Sequence, residues 1–91
     1  MISVIIPALN EEKYLPILLS QIKKQGFKDC EIIVADGGSQ DKTVEIAKSF
    51  SCKVIKGGTT AQGRNAGAKE AKGEILVFLD ADNLYLPDGF F

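Results

Sequence analysis

Four short apolar runs alternate with amphipathic segments along this chain of 91 residues. The runs lie at residues 2–6, 31–35, 53–56 and 74–79, and their length and composition are typical of buried strands. Segments with apolar residues at helical spacing separate them. Strand–helix units at this period predict an α/β protein, in which a mostly parallel open sheet is built with right-handed crossovers.

Turn and cap residues set the expected ends of the first units. Pro7 is expected to end the first strand, because proline has no N–H to donate within a sheet, and Asn10 is expected to cap the following turn. Pro16 places the helix start near residue 14 or 15, since a first turn tolerates proline, and Gly26 indicates its end. The side chains expected to be buried from this helix are Leu15, Leu18, Leu19 and Ile22.

The second helix is expected to be capped by Ser39 or Asp41. Its buried side chains are expected to be Val44, Ile46, Ala47 and Phe50.

A third helix is predicted from Thr59 or Thr60 to Gly73, and glycines make it unusual. Gly63, Gly67 and Ala71 recur every four residues and so form one bare stripe. Each glycine costs roughly 1 kcal/mol in a helix relative to alanine, which indicates that the sheet or a ligand approaches closely.

Composition and charge exclude several functional classes. Hydrophobic residues make up 45% of the chain and the net charge is −1, so an ordinary globular domain is expected and nucleic acid is not an expected partner. No apolar run is long enough to span a bilayer and no secretory leader is evident, so a cytoplasmic location is expected.

There is no histidine, which rules out Ser-His and Cys-His nucleophilic centres within this chain. Cys30 and Cys52 lack the spacing of a zinc site and are expected to be small buried hydrophobes, reduced in a cytoplasmic chain even if their strands are neighbours.

Asp80-Ala81-Asp82 closes the fourth predicted strand. Two such carboxylates repel each other unless a cation lies between them, and Mg²⁺ or Mn²⁺ binds one or two protein carboxylates together with substrate phosphates and water. The alternative is a polar turn with a helix cap, since aspartate favours both places. Ligands of open parallel sheets bind beyond the carboxyl ends of the strands. Residues 7–11 and 36–39 are expected at the same edge, so these segments together predict one site, although each could simply turn the chain.

Four motifs resemble, in order, the nucleotide-binding half of family-2 glycosyltransferases. They are VIIPALNEE at residues 4–12, IIVADGGSQDKT at 32–43, GRNAG at 63–67 and FLDAD at 78–82. The resemblance covers nearly the whole chain. It implies the Rossmann-like N-terminal half of a GT-A fold, a nucleoside-diphosphate sugar as donor, a hydroxyl acceptor, and Mn²⁺ or Mg²⁺ as the metal.

The resemblance also assigns residues to the nucleotide. It implies that Pro7, Ala8 and Glu11 line the nucleoside pocket and that Asp36 helps to hold the base or ribose. Arg64 matches an arginine near the base and diphosphate; the alternative for Arg64 is a solvated side chain on a helix that packs against the sheet.

By the same resemblance, Asp82 ligates the metal and Asp80 approaches the ribose or a water on the metal. A metal and a cation would neutralise the charge that develops on the departing nucleoside diphosphate. One position departs from the family, because many members carry a second acid where this chain has Gly37. A change of base or sugar preference is therefore expected.

No catalytic base is nominated among the 91 residues. In inverting members this carboxylate lies well beyond the aspartate pair, so it is expected beyond Phe91. Residues 1–91 are therefore expected to form a single, incomplete domain of a larger enzyme, inactive alone and reaching a membrane only through missing parts. An unpaired fourth strand would favour a homo-oligomer.

Two other functions remain as alternatives. The chain could be a truncated nucleotide-binding or association fragment without turnover. It could also be a haloacid-dehalogenase-like phosphatase with Asp80 as nucleophile and Asp82 as general acid, although that motif usually opens its domain and here three strand–helix units precede it. A dinucleotide-binding dehydrogenase is disfavoured, because no G-x-G-x-x-G follows the first strand.

Overall fold

Four parallel strands form a single sheet in the computed structural model, which describes residues 1–26 and 29–82. The strands are β1 (Ile2–Ala8), β2 (Cys30–Asp36), β3 (Lys53–Lys56) and β4 (Ile75–Phe78). Their order is β3-β2-β1-β4, so the strand order reverses between β1 and β4. The α/β architecture predicted from the alternating runs is confirmed.

Three helices connect these strands and cover both faces of the sheet. They are α1 (Leu15–Lys24), α2 (Thr43–Ser49) and α3 (Thr60–Glu70). Alternate residues of β1, such as Val4 and Ile6, join a buried cluster with α1 and α2. The residues between them face α3, because Ile5 and Pro7 meet its glycines. The chain is therefore a three-layer arrangement with the sheet in the middle.

The apolar stripe of α1 is buried as predicted, at Leu15, Leu18, Leu19 and Ile22. In α2 the burial is less complete than predicted. Ala47 is fully buried, whereas the other three predicted positions, Val44, Ile46 and Phe50, are only half-buried.

Pro7 lies inside β1, although the strand was expected to end there, and it pairs in register with Ala35. The N–H of Leu79 donates to the carbonyl of Ile5 at 3.1 Å, so the backbone groups of Ile5 point toward β4. The backbone of Pro7, two residues further along β1, also faces the side of β4. Pairing with β4 has already ended there, at Phe78, so the missing N–H of proline leaves no bond of the sheet unmade.

The helix caps differ in part from those expected. The N-cap of α1 is Tyr14, without a side-chain hydrogen bond, and that of α2 is Lys42 rather than Ser39 or Asp41. Asn10 was expected to cap the turn after β1. Its side-chain oxygen instead accepts a hydrogen bond from Gln40 at 2.8 Å, which joins the loops after β1 and β2.

Thr59 caps α3 in a reciprocal capping box with Gln62. Thr59 and Thr60 were the two caps predicted for this helix. The helix ends at Glu70, before the predicted end at Gly73. The N–H of Gly73 donates to the buried hydroxyl of Ser3 at 2.9 Å, and this hydrogen bond holds the segment between α3 and β4 against the sheet.

The glycine stripe of α3 is explained by close packing on β1. A Cβ atom at Gly67 would lie 2.4 Å from Cγ2 of Ile5, and one at Gly63 would lie 3.1 Å from Cβ of Pro7. The sheet therefore approaches the helix at these positions, which was one of the two explanations expected from the sequence.

Both cysteines carry free thiols; Cys30 begins β2 and Cys52 directly precedes β3, which pairs with β2. Cys52 is buried, and burial raises the pKa of its thiol to about 11. Cys30 is half-buried. Within the described parts of the chain, no helix has the length and apolar character needed to cross a bilayer.

Candidate functional site

A cleft of about 430 Å³ opens at the carboxyl ends of β1 and β4, where the strand order reverses. We call it the β1/β4 cleft. This is the edge at which ligands bind to open parallel sheets. The residues that line it are Pro7, Ala8, Leu9, Glu11, Gly58, Thr59, Thr60, Asp80, Ala81 and Asp82. Five side chains named from the sequence thus share one cleft, from segments more than sixty residues apart.

The two aspartates after β4, here called the acid pair, reach the cleft because their neighbours are anchored. Leu79 and Ala81 are 9% and 4% exposed, so both belong to the core. The intervening Asp80 and the following Asp82 are exposed. Both carboxylates are therefore presented to solvent at the turn after β4, while the two buried apolar residues hold the backbone.

Arg64 joins the acid pair from the first half of α3. Its Nη2 atom lies 3.5 Å from Oδ1 of Asp80, and the two side chains are 48% and 68% exposed. The contact is open to solvent, so either group can exchange its partner for a charged ligand. A planar guanidinium at this place can donate two parallel hydrogen bonds to a phosphate.

Glu11 adds a third carboxylate to the cleft. Partial burial raises the pKa of the Glu11 carboxyl above its ordinary value of 4.5, and the charges of Asp82 and Asp41 raise it further. The backbone N–H of Glu11 donates to Oγ1 of Thr43 at 2.8 Å, which fixes this side of the cleft. The excess of negative charge favours a cationic ligand here.

The donor set of the cleft suits a hard divalent cation shared with a ligand. Among residues 1–26 and 29–82, no cluster of three or more His, Cys, Asp or Glu side chains is arranged to hold a metal unaided. Mg²⁺ and Mn²⁺ need only one or two protein carboxylates when phosphates and water supply the other ligands. The exposed oxygens of the acid pair fit that mode of binding.

Asp36 lies beside a second cavity, of about 350 Å³, at the carboxyl ends of β2 and β3. We call it the β2/β3 cavity. Gly58 borders both spaces, so the cavity and the cleft are neighbours on one edge of the sheet. The other residues that line the cavity are Gly37, Gly38, Val44, Val54, Ile55 and Lys56. Asp36 is thus separate from the acid pair.

The carboxylate of Asp36 holds the turn that follows it. Its Oδ2 accepts hydrogen bonds from the N–H groups of Gly38 and Ser39, at 3.0 and 2.9 Å, and its Oδ1 accepts one from the Ser39 hydroxyl at 2.5 Å. Gly37 is required by packing, because a Cβ atom there would lie 2.6 Å from the carbonyl oxygen of Gly58. The departure from the family at this position therefore has a steric cause.

Sequence reasoning did not assign four other residues to this edge, namely Gly58, Thr59, Thr60 and Lys56. The available signal was positional, since these residues lie at the end of β3 or between it and the start of α3. Phe91, beyond which the catalytic base is expected, lies with the rest of residues 83–91 outside the described residues.

Comparison with known proteins identifies the family that the four sequence motifs resemble. The model for glycosyl transferase family 2 matches residues 3–90. The chain is 36% identical to a protein of Haemophilus influenzae named as an uncharacterized glycosyltransferase, over 97% of this chain and 31% of that protein.

Two solved structures resemble it as well. Residues 1–349 of S. aureus TarS, in complex with UDP, are 35% identical with a TM-score of 0.81, over 89% of this chain and 27% of that one. Glucosyl-3-phosphoglycerate synthase of Mycobacterium tuberculosis, in complex with Mn²⁺, UDP and glucosyl-3-phosphoglycerate, is 28% identical with a TM-score of 0.76, over 89% of this chain and 33% of that one.

The chain spans about a third or less of the length of each of these relatives. The motifs, the sheet order and the family match over residues 3–90 agree. The chain therefore belongs to glycosyl transferase family 2 and has the Rossmann-like architecture of its GT-A neighbours.

Proposed function

We propose that this chain forms the donor-binding part of a glycosyltransferase. The enzyme transfers a sugar from a nucleoside diphosphate to a hydroxyl acceptor and uses a divalent metal. The observation that carries the proposal is the β1/β4 cleft, in which the acid pair lies beside Arg64. Two relatives support it, because one was crystallised with UDP and the other with UDP and Mn²⁺.

The diphosphate end of the donor is assigned to the acid pair and Arg64. Asp82 is the proposed metal ligand, and Asp80 supports the metal or the ribose. When bound, the metal supplies positive charge that stabilises the departing diphosphate. Arg64 adds a second cation, since a phosphate can replace Asp80 as the partner of its exposed guanidinium.

The nucleoside end is assigned to the wall formed by Pro7, Ala8 and Glu11. A carboxylate such as that of Glu11 only accepts hydrogen bonds, which suits the hydroxyl groups of a ribose. The β2/β3 cavity shares Gly58 with the cleft and is lined by Val44, Val54 and Ile55, whose apolar side chains suit the faces of a planar base. Asp36 borders the same cavity.

Deprotonation of the acceptor hydroxyl is assigned to a carboxylate in the part of the relatives that this chain does not span. On this proposal residues 1–91 bind the donor and do not transfer the sugar by themselves. The family match favours this function over the phosphatase alternative, in which Asp36 and Arg64 have no role.

Calorimetric titration tests the proposal. The protein is titrated with UDP and with GDP, each with Mn²⁺, with Mg²⁺ and with a chelator, and Asp82→Asn is compared with the wild type. We expect metal-dependent binding of at least one nucleotide and weaker binding by the variant. Absence of binding to both nucleotides with both metals would refute the proposal.

A further inference from the structure

A hydrogen-bonded contact joins the loop after β1 to the loop after β2, behind the wall of the β1/β4 cleft. Three successive backbone N–H groups, at residues 10–12, donate to side chains of the second loop. The acceptors are Ser39 Oγ at 2.8 Å, Thr43 Oγ1 at 2.8 Å and Asp41 Oδ2 at 3.2 Å. We call this set of contacts the interloop clasp.

Asn10 adds a bond in the opposite direction. Its φ of 52° lies in the left-handed region, which asparagine tolerates better than most residues. Its side-chain oxygen accepts from the N–H of Gln40 at 2.8 Å. The clasp is therefore reciprocal, and one loop cannot shift without breaking bonds made by the other.

Thr43 is the buried centre of the clasp, with no exposed surface. Its hydroxyl donates to Oδ1 of Asp41 and accepts from the N–H of Glu11. A hydroxyl has one proton and a carboxylate only accepts, so the Thr43 hydroxyl donates its single hydrogen bond to Asp41. The lone pairs of the Thr43 oxygen are thereby directed at the backbone N–H of Glu11, a residue that lines the cleft.

Neither Thr43 nor Asp41 lines the cleft, so neither is placed to touch a ligand there. We propose that Thr43, oriented by Asp41, is a positioning residue that fixes Glu11 against the β1/β4 cleft and so sets the affinity for the nucleoside. The inference rests on the proposed function of the cleft. It gives Thr43 and Asp41 a role in nucleotide binding, whereas their places in the sequence indicate only a loop and the start of a helix.

The test is Thr43→Val, which keeps the shape of the side chain and removes the hydroxyl. Calorimetry, with Mn²⁺ present, measures its affinity for whichever of UDP and GDP the wild type binds more tightly, and for inorganic pyrophosphate. We expect the Kd for the nucleotide to rise about tenfold, the equivalent of one hydrogen bond that a displaced Glu11 carboxylate no longer accepts from the nucleoside. Pyrophosphate should bind as to the wild type, because it lacks the nucleoside that Glu11 would contact.

Two further variants separate positioning from general stability. Thr43→Ser retains the hydroxyl and should restore nucleotide affinity. Ser49→Ala removes a hydroxyl that donates to the carbonyl of Ile46 at 2.7 Å, at the far end of α2, and should leave both affinities unchanged. If Thr43→Val does not fold, Asp41→Asn replaces it and should weaken nucleotide binding in the same direction.

The outcomes are distinguishable. Equal nucleotide affinity in the wild type and Thr43→Val would overturn this inference and leave the proposed function intact. An equal loss for nucleotide and pyrophosphate would also overturn it, because Thr43 would then support the whole site. If the wild type binds neither nucleotide, the proposed function fails and this inference fails with it.

Discussion

Arg64 Nη2 lies 3.5 Å from Oδ1 of Asp80, which brings together two motifs separated by a helix and a strand. The pair is exposed, and exposed ion pairs contribute about 0–1 kcal/mol to stability. Its value to the fold is therefore small. Its position at the edge of the β1/β4 cleft is better explained by a charged ligand that both side chains meet.

Replacement of Arg64 by methionine should separate binding from stability. We expect the free energy of unfolding to change by less than about 1 kcal/mol, and nucleoside-diphosphate affinity to fall at least about tenfold, because a charged hydrogen bond is lost. Lys53→Met is the matched control, since Lys53 and Glu70 form an exposed pair at 3.0 Å outside the cleft. Calorimetry and urea denaturation measure the two effects, and equal nucleotide affinities for the two variants would contradict the role of Arg64.

Gly37→Ala should destabilise the fold rather than alter the preferred base. The added Cβ atom would lie 2.6 Å from the carbonyl oxygen of Gly58, and a backbone atom cannot move aside cheaply. We expect a loss of about 1–3 kcal/mol in urea denaturation, as for other overpacked sites. A Gly37→Ala variant as stable as the wild type would refute the steric explanation.

Gly67→Ala should also be destabilising, although alanine is the better helix former by about 1 kcal/mol. Its Cβ atom would lie 2.4 Å from Cγ2 of Ile5, so overpacking should outweigh propensity. Ile5→Ala removes the clashing atom. The double variant should therefore lose less stability than the sum of the two single variants, which a double-mutant cycle measures by denaturation. Additive losses would show that the two residues do not compete for space.

Glu11→Gln should stabilise the protein at neutral pH. Burial raises the pKa of the Glu11 carboxyl in the folded state, with repulsion from Asp82 and Asp41, so the unfolded chain loses the proton at lower pH than the folded chain. Ionisation of Glu11 therefore opposes folding, and its destabilising effect grows as pH rises from the ordinary value of 4.5 through the raised pKa.

Glutamine carries no charge at either pH, so the gain in stability should be present at about pH 7 and vanish below about pH 4. Urea denaturation at both values measures it. A variant less stable than the wild type at neutral pH would contradict the raised pKa. The prediction also implies that Glu11 is kept at a cost in stability, as is common for residues in binding sites.

Local patterns in the sequence predict the elements well where one principle dominates. The stripe of Leu15, Leu18, Leu19 and Ile22 and the capping threonine of α3 belong to this class. The place of Pro7 is different, because its tolerance depends on where pairing with β4 stops. That endpoint is a property of the assembled sheet and cannot be read from the residues around the proline.

The site shows the same division. The edge of the sheet and the acid pair follow from strand order and motif, and Arg64 follows from the family resemblance. The hydrogen bonds of Asp36 lie within its own turn, whereas the contact of Gly37 with Gly58 depends on the loop that follows β3. The interloop clasp likewise requires two loops to be neighbours in space, and no local pattern reports their register.

The most direct test of the central claim is the location of bound Mn²⁺ by nuclear magnetic resonance. Paramagnetic Mn²⁺, added with UDP or GDP to ¹⁵N-labelled protein, should selectively broaden the amide signals of Glu11, Thr60 and Ala81, which line the β1/β4 cleft beside the acid pair. The amides of Ile2 and Cys30, at the opposite ends of their strands, should remain sharp. Broadening that is absent, or that is centred away from the cleft, would contradict the assignment of the cleft to a metal and a nucleoside diphosphate.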